Sequence, residues 1–346
     1  MTMKVGLVYD PIYLEHDTGN HVEVAARLKE VMWSLGNSGV KQRLVEIHPT
    51  PASQEELSLV HSIEHISQIE KVAQSGGGWL DADTVMSSAS YKVALYAAGG
   101  VLNAVDAVME RRVDSAFALV RPPGHHATRT SAMGFCLFNN IAIAARLSLR
   151  KYGLDRILIV DFDVHHGNGT QDAFYDDPAV LYFSTHQYPF YPGTGRIDEV
   201  GVGKGIGTTV NVPLPAWCGD EEYSQVFQQI LVPLAHRFQP ELILVSAGYD
   251  AHWLDPIGSM QLSVSGFAQM VQILQKLALK LCQGRLVFSL EGGYHIPALA
   301  RSIKAALEVL LGEVEIDDPL GKPPQSRKAP AVESIIQQVK TLHRLE

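Results

Sequence analysis

The sequence predicts an α/β protein built around a parallel sheet, and two observations predict it. Short apolar, β-branched runs alternate with longer helical patterns, and several of those runs lack the polar–apolar alternation of a strand with one wet face. The composition agrees: 346 residues, 46% hydrophobic and 19% charged, supply ample material for a large core. No Pro-, Gly- or Ser-rich linker interrupts the middle, so one domain over 1–346 is expected.

Taken in order, the strand candidates are VGLVY at 5–9, SAFALV at 115–120, RILIVDFD at 156–163 and AVLYFST at 179–185, followed by ELILVSAGYD at 241–250 and RLVFSLEGGY at 285–294. Between them SYKVALYAAGGVLNAVDAVMER, SGFAQMVQILQKLALKLCQ and PALARSIKAALEVLLG place apolar residues near a helical period. The polar, Pro-rich stretch at about 313–330 reads as a surface loop before a C-terminal helix at about 331–345.

Bulk properties narrow the function classes. A formal charge of -9 without a Lys/Arg cluster argues against direct nucleic-acid binding, which needs a basic face. Met1 leads almost directly into VGLVY without a secretory signal pattern, and no run of about 20 apolar residues suggests a membrane span. Cys136, Cys218 and Cys282 are far apart and form no C-x-x-C pair, so neither a disulfide framework nor a thiolate zinc site is indicated. A reducing cytoplasm is the expected setting.

Ligands of parallel sheets gather beyond the carboxyl ends of the strands, and four strand exits here carry His, Asp or Tyr. They are RPPGHHA after Val120, Asp161 to His166, Asp250, and Tyr294. In DFDVHHGNGT, Asp161, Asp163 and His165 occupy alternate positions as a strand ends, so their side chains can share one direction. Asp163 and His165 supply an oxygen and a nitrogen suited to Zn²⁺, and a catalytic zinc takes a third protein ligand and keeps one position open. Asp250 is the natural third. A single Asp at a strand end more often caps a helix or pairs with Arg, but four such clusters, two with adjacent histidines, outweigh that reading.

The ordered set RPPGHHA, GFCLFNN, DFDVHHGNGTQDAFYDDP, STHQYPFYPGTG, SAGYDAHWLDP and EGGY resembles the histone deacetylase family, closest to its class II and bacterial deacetylase-like members, over roughly residues 5–310. The resemblance implies an arginase/deacetylase-like three-layer fold with a central parallel sheet of about eight strands. It also implies zinc on Asp163, His165 and Asp250, with His125 and His126 as the tandem histidines beside the metal. Asp161 would buttress His125. Asn168 falls where some members carry a second buttressing Asp, which agrees with the class II pattern, and Tyr294 matches the tyrosine that binds the substrate carbonyl. Phe135 and Tyr191 match the walls of a narrow tunnel, with Gly134, Gly292 and, more loosely, Asp83 beside the substrate. Potassium is implied on Asp161, Asp163, His165, Ser184 and Thr185, and a second alkali site near Phe174, Asp177, Val180 and Thr208. Glu23 and Arg27 are retained from the family's amino-terminal loop, whereas Val22 stands where Pro is usual, a change that bears on the entrance and the substrate.

The chemistry follows from the residue types. Zinc polarises an amide carbonyl and brings the pKa of a bound water toward about 7. A neutral His126 would take that proton and pass it to the leaving amine, His125 held by Asp161 would support the developing charge, and Tyr294 would share the oxyanion. The expected substrate is an acetylated amine, either a protein lysine or a polyamine, and the resemblance admits a homo-oligomer. Two alternatives stay open: a silent acyl-amine binder, and an arginase-like two-manganese ureohydrolase, which would need carboxylates where His166, Gly167 and Asn168 stand. HSIEH at 61–65 fits the H-x-x-E-H pattern and is a rival zinc site on a predicted helix. GVGKGIG around Lys204 is neither a Walker A nor a dinucleotide fingerprint, and Cys136 reads as a small buried residue.

Overall fold

The apolar runs become strands of one sheet in the computed structural model, which describes residues 3–324, 327–328 and 331–345. In chain order the strands are β1 (Val5–Val8), β2 (Val45–Ile47), β3 (Gly77–Trp79), β4 (Val85–Ser87), β5 (Ser115–Ala118), β6 (Ile157–Asp161), β7 (Val180–Gln187), β8 (Thr209–Leu214), β9 (Leu242–Ala247) and β10 (Leu286–Leu290). Eight of them form a parallel sheet in the order β2-β1-β5-β10-β9-β6-β7-β8, while β3 and β4 make a separate antiparallel hairpin. Every residue of β1, β5, β6, β7, β9 and β10 is buried. Burial on both faces removes the selection for alternation that a half-wet strand would show.

Helices cover both faces and give three layers. Ile296–Leu310 packs on both Ala26–Asn37 and Val264–Leu281, and Ser90–Met109 packs on Asn140–Tyr152. Ser90–Met109 is long and apolar enough to cross a membrane by length and composition alone, but 67% of its most apolar window is buried inside the protein. Its contacts with β1, β5 and β10 account for that apolarity. Local signals set the helix starts: Ser263 accepts from the Gly266 amide and Asn139 from the Ala142 amide, each satisfying a donor that the first turn leaves free.

The structure departs from the sequence reading in three places. The edge strands β2 and β8 were not expected, nor was the β3–β4 hairpin; β2 has only three residues, two of them exposed, and β8 carries Asn211 and Pro213. Short edge strands leave little periodic signal, and proline is tolerated there. Second, β6, β9 and β10 stop at Asp161, Ala247 and Leu290, so Asp163, Asp250 and Tyr294 lie in the loops beyond them. Third, the C-terminal helix spans Glu333–Leu342, and part of the 313–330 loop is tied down: Asp318 accepts from the Ser265 amide and Gly321 from the Trp253 indole. Residues 325, 326, 329 and 330 of that loop lie outside the described residues.

Candidate metal centre and catalytic site

The four polar strand exits meet because β5, β10, β9 and β6 are neighbours in the sheet. His125 and His126 follow β5, Tyr294 follows β10, Asp250 follows β9 and Asp161 ends β6. Asp163, His165 and Asp250 are buried, and each offers a donor atom within 4.8 Å of the others; among the described residues this is the one group of three or more such side chains. His165 Nδ1 lies 3.1 Å from Asp163 Oδ1 and 3.2 Å from Asp250 Oδ2. Strand alternation does not produce this convergence. Backbone amides in the loop turn onto the carboxylates instead: Val164 N–H donates to Asp250 Oδ1 (2.8 Å), His165 N–H to Asp163 Oδ1 (2.9 Å) and Gly292 N–H to Asp163 Oδ2 (2.9 Å).

This donor set fits a cation. Asp250 Oδ2 is fully buried and among the described residues accepts no properly directed hydrogen bond, which is costly for a carboxylate oxygen unless a positive charge completes it. Burial pushes the Asp250 carboxyl up to about 7, aided by the Asp163 charge. Burial alone would lower His165, but its contacts with Asp163 and Asp250 prevail and raise it to about 10. A protonated imidazole between two carboxylates marks the same excess of negative charge that two oxygens and one nitrogen present to Zn²⁺.

The tandem histidines are driven apart electrically. His125 Nδ1 lies 3.1 Å from Asp161 Oδ2; burial opposes its charge, yet Asp161 and Asp163 outweigh burial and raise it to about 10. His126 goes the other way: burial, then the charges of His125 and His165, hold it well below the usual imidazole range. Its Nδ1 is 2.8 Å from Asn168 Oδ1. The Asn168 amide nitrogen faces two acceptors, the His126 carbonyl and Met133 Sδ, so Oδ1 is the acceptor and His126 carries its proton on Nδ1. Nε2 is left with a free lone pair, the form a general base requires.

A cavity of about 260 Å³ leads to these groups, lined by Phe135, Phe190, Tyr191, Ile257, Pro123, Gly134, Gly292, Asp83, His125, His126, His165 and Tyr294. Tyr191 stands edge-on to His126 (centroids 5.2 Å apart) and Phe135 edge-on to Tyr294 (5.7 Å). Two glycines are sterically required. At Gly134, with φ +55, a Cβ would come within 2.3 Å of the His126 ring, and at Gly292 it would lie 2.1 Å from Asp250 Oδ2. Burial raises the Tyr294 phenol well above its ordinary range, so it remains a hydrogen-bond donor. Burial, with Asp81 beside it, raises the Asp83 carboxyl; its backbone carbonyl faces His21 Nε2 at 3.2 Å.

Ser184 pairs with Asp161 across the β6–β7 ladder and its hydroxyl meets His186 Nδ1 at 2.9 Å, while the buried Thr185 hydroxyl has no partner among the described residues. Around the second expected alkali position, the Asp177 amide donates to the Phe174 carbonyl, the Thr208 hydroxyl donates to Gly205 O at 2.8 Å, and the Asp177 carboxylate pairs with Arg146. HSIEH is not a metal site. His61 Nδ1 lies 2.8 Å from Thr128 O and its Nε2 accepts from the Asn139 amide, His65 Nε2 meets Leu137 O at 2.9 Å, and Glu64 is exposed.

Sequence reasoning passed over three residues of the site. Tyr182 donates to Asp161 Oδ2 at 3.2 Å, Phe190 stacks on His165 with centroids 5.3 Å apart, and Glu291 Oε2 accepts from the Gly124 and His125 amides at 2.7 and 3.2 Å. Tyr182 stands inside an apolar strand run and Phe190 inside STHQYPFYPGTG, where neither residue type by itself signals a site. Glu291 carried one signal, an acidic residue at the end of an otherwise apolar strand.

The fold and site define a class: a parallel three-layer α/β protein with a carboxylate–imidazole cluster able to hold a metal, beside paired histidines at the base of an aromatic tunnel. The histone deacetylase domain family matches residues 21–310, and the chain belongs to that family. It is 40% identical over 351 residues to "Histone deacetylase 14, chloroplastic" of Arabidopsis thaliana, covering 96% of this chain and 83% of that protein. To "Polyamine deacetylase HDAC10" of Homo sapiens it is 44% identical over 304 residues, 84% of this chain and 45% of the relative. The crystal structure of the HDA15 HD domain superposes with a TM-score of 0.88 at 36% identity, covering 98% of this chain and 95% of that one.

Proposed function

We propose that this chain is a zinc-dependent deacetylase that hydrolyses the amide of an acetylated amine, acetyl-lysine or acetylpolyamine, to acetate and the free amine. The observation that carries this reading is the meeting of the Asp163–His165–Asp250 donors, the His125–His126 pair and Tyr294 around one cavity. Asp163, His165 and Asp250 would hold the zinc, which when bound supplies Lewis-acid polarisation of a carbonyl and a more acidic water.

The chain's own groups divide the remaining work. His126, neutral and with Nε2 free, accepts a proton from water and returns it to the departing amine nitrogen. His125, held protonated by Asp161, faces the developing negative charge, and the Tyr294 hydroxyl donates to the carbonyl oxygen as charge builds there. Phe135, Phe190 and Tyr191 enclose an extended aliphatic chain and exclude water. Gly134 and Gly292 keep the cavity open beside it, and the Asp83 carboxylate at the cavity suits an amine or amide N–H.

Potassium on the backbone oxygens of Asp161, Asp163 and His165 with Ser184 and Thr185 belongs to the same proposal, and the buried Thr185 hydroxyl, without a partner among the described residues, supports it. The proposal takes the whole chain as one catalytic domain in the cytoplasm, in keeping with three buried free cysteines. Relatives named for histone and for polyamine deacetylation leave both amine classes in play.

Acetate release from matched panels of acetyl-lysine peptides and acetylpolyamines tests the reading. The zinc-loaded wild type should release acetate, and Tyr294→Phe should lose about 100-fold in kcat, the usual effect of removing one oxyanion donor. Tight acetyl-lysine binding without turnover, with zinc content confirmed, would replace it with a silent binder.

A further inference from the structure

Tyr294 is aimed by something other than its own side-chain contacts. Its ring lies against the Arg27 guanidinium (4.9 Å) and Phe135 (5.7 Å), and among the described residues no hydrogen bond holds its hydroxyl. The direction of the phenol is therefore set by its backbone. The Tyr294 amide donates to Asp255 Oδ2 at 2.7 Å and the next amide, His295, donates to the same oxygen at 3.1 Å. The other oxygen, Oδ1, accepts from the Ile257 amide at 3.1 Å. Asp255 is 8% exposed and its own amide donates to His252 O at 2.8 Å.

The arrangement joins two walls of the cavity through one carboxylate. Ile257 and Tyr294 both line the tunnel, on loops that follow β9 and β10. Behind Tyr294, His295 accepts from the Ala298 amide and starts the helix Ile296–Leu310, so Asp255 also anchors the loop to a rigid element of fifteen residues. A negative charge is favoured beside the first turn of that helix. Both oxygens are used, and no neutral side chain of this shape can serve both faces: asparagine offers one carbonyl oxygen, and its amide nitrogen would meet an N–H whichever way it turned.

We propose that Asp255 is a positioning residue for catalysis, setting the Tyr294 phenol over the reacting carbonyl and fixing Ile257 against the substrate chain. The inference rests on the deacetylase reading. A displacement of about 1 Å in such a group can cost about 100-fold in rate.

The test is a double-mutant cycle on the zinc-loaded full chain, with Asp255→Asn and the smaller Asp255→Ser each made in the wild type and in Tyr294→Phe. In the wild type either substitution should lower kcat between about tenfold and 100-fold while KM moves less. In Tyr294→Phe, where the phenol is already gone, the same substitution should change kcat less than about threefold. Amide hydrogen exchange of the zinc-free variants should quicken at Ile257, Tyr294 and His295 and stay unchanged in β6 and β9. Equal losses in both backgrounds, or unchanged kcat and exchange, would overturn the proposal. An inactive wild type would instead remove the deacetylase reading, while the exchange measurement would still decide whether Asp255 holds the loop.

Discussion

Position 168 shows how much one atom type decides at the scale of a residue. The Asn168 carbonyl oxygen accepts from His126 Nδ1–H at 2.8 Å without adding charge, which lets burial and the neighbouring histidines keep His126 neutral. Asn168→Asp would put a carboxylate in that place and raise the His126 pKa, because a nearby negative charge favours the imidazolium. On the proposed mechanism activity needs neutral His126 and fails as pH drops through its pKa, so the acidic limb of the kcat/KM profile should move to higher pH. A pH–rate series on both proteins checks it. Gly292 makes a steric case. A Cβ there would meet Asp250 Oδ2 at 2.1 Å and Asp163 Oδ2 at 2.6 Å, so Gly292→Ala must displace both carboxylates of the proposed zinc site. Zinc affinity should fall by about tenfold or more, measured against a competing chelator.

At the scale of elements, the loops that carry the chemistry are bound together by a buried ion cluster. Glu23 is fully buried; burial opposes its charge, but Arg121 and Arg27 hold its carboxyl well below the usual range. Arg27 Nη1 lies 3.0 Å from Glu23 Oε1, and its other nitrogens donate to Gly293 O and Glu291 O at 2.7 and 2.6 Å, around the Tyr294 loop. Arg121, which opens the tandem-histidine loop, pairs with the same carboxylate and donates to Tyr13 O at 3.0 Å. The departure at Val22 leaves this anchor intact: Val22 is 39% exposed beside it, and its neighbour His21 stands edge-on to Phe135 at 4.5 Å. Glu23→Ala would leave two buried guanidinium groups without their carboxylate. Stability should drop by about 3–5 kcal/mol in urea unfolding, because the charges left behind stay buried without their partner.

Across the whole molecule, buried imidazoles set the acid limit of the fold. Burial lowers His16 to about 4, His61 to about 3, His252 to about 4 and His343 to about 4, in four separate parts of the chain. Each folded-state pKa lies below the unfolded value near 6.5, so the folded form prefers the neutral ring. The stability these groups contribute is fully present above pH 6.5 and is lost as pH falls toward 4, because below 6.5 the unfolded chain takes up protons that the folded chain refuses. Each imidazole that stays neutral in the fold costs about 1.4 kcal/mol for every pH unit below 6.5. Glu291 and Asp250, both pushed up to about 7 by burial, work in the opposite direction, while His186, lowered to about 4 by burial, adds to the imidazoles. Urea midpoints should accordingly fall steeply between pH 6.5 and 4. A midpoint that stays level across that window would contradict the assignment.

The sequence by itself determined the layer type and the residue types offered to the site. Six buried runs, the tandem histidines and the acid–imidazole pattern in DFDVHHGNGT were legible because buried strands need continuous apolar residues and a metal needs particular donors. Tertiary structure decided which strand exits become neighbours: β5, β6, β9 and β10 are spread along the chain, yet lie side by side as β5-β10-β9-β6. It also decided that HSIEH spends its imidazoles on backbone groups of residues 128, 137 and 139. The same holds for Glu291 and Asp255, whose carboxylates bind amides 39 to 167 positions away. Bonds between a side chain and a distant backbone leave no period or motif in the sequence, because any residue can supply the amide and only the fold brings it within reach.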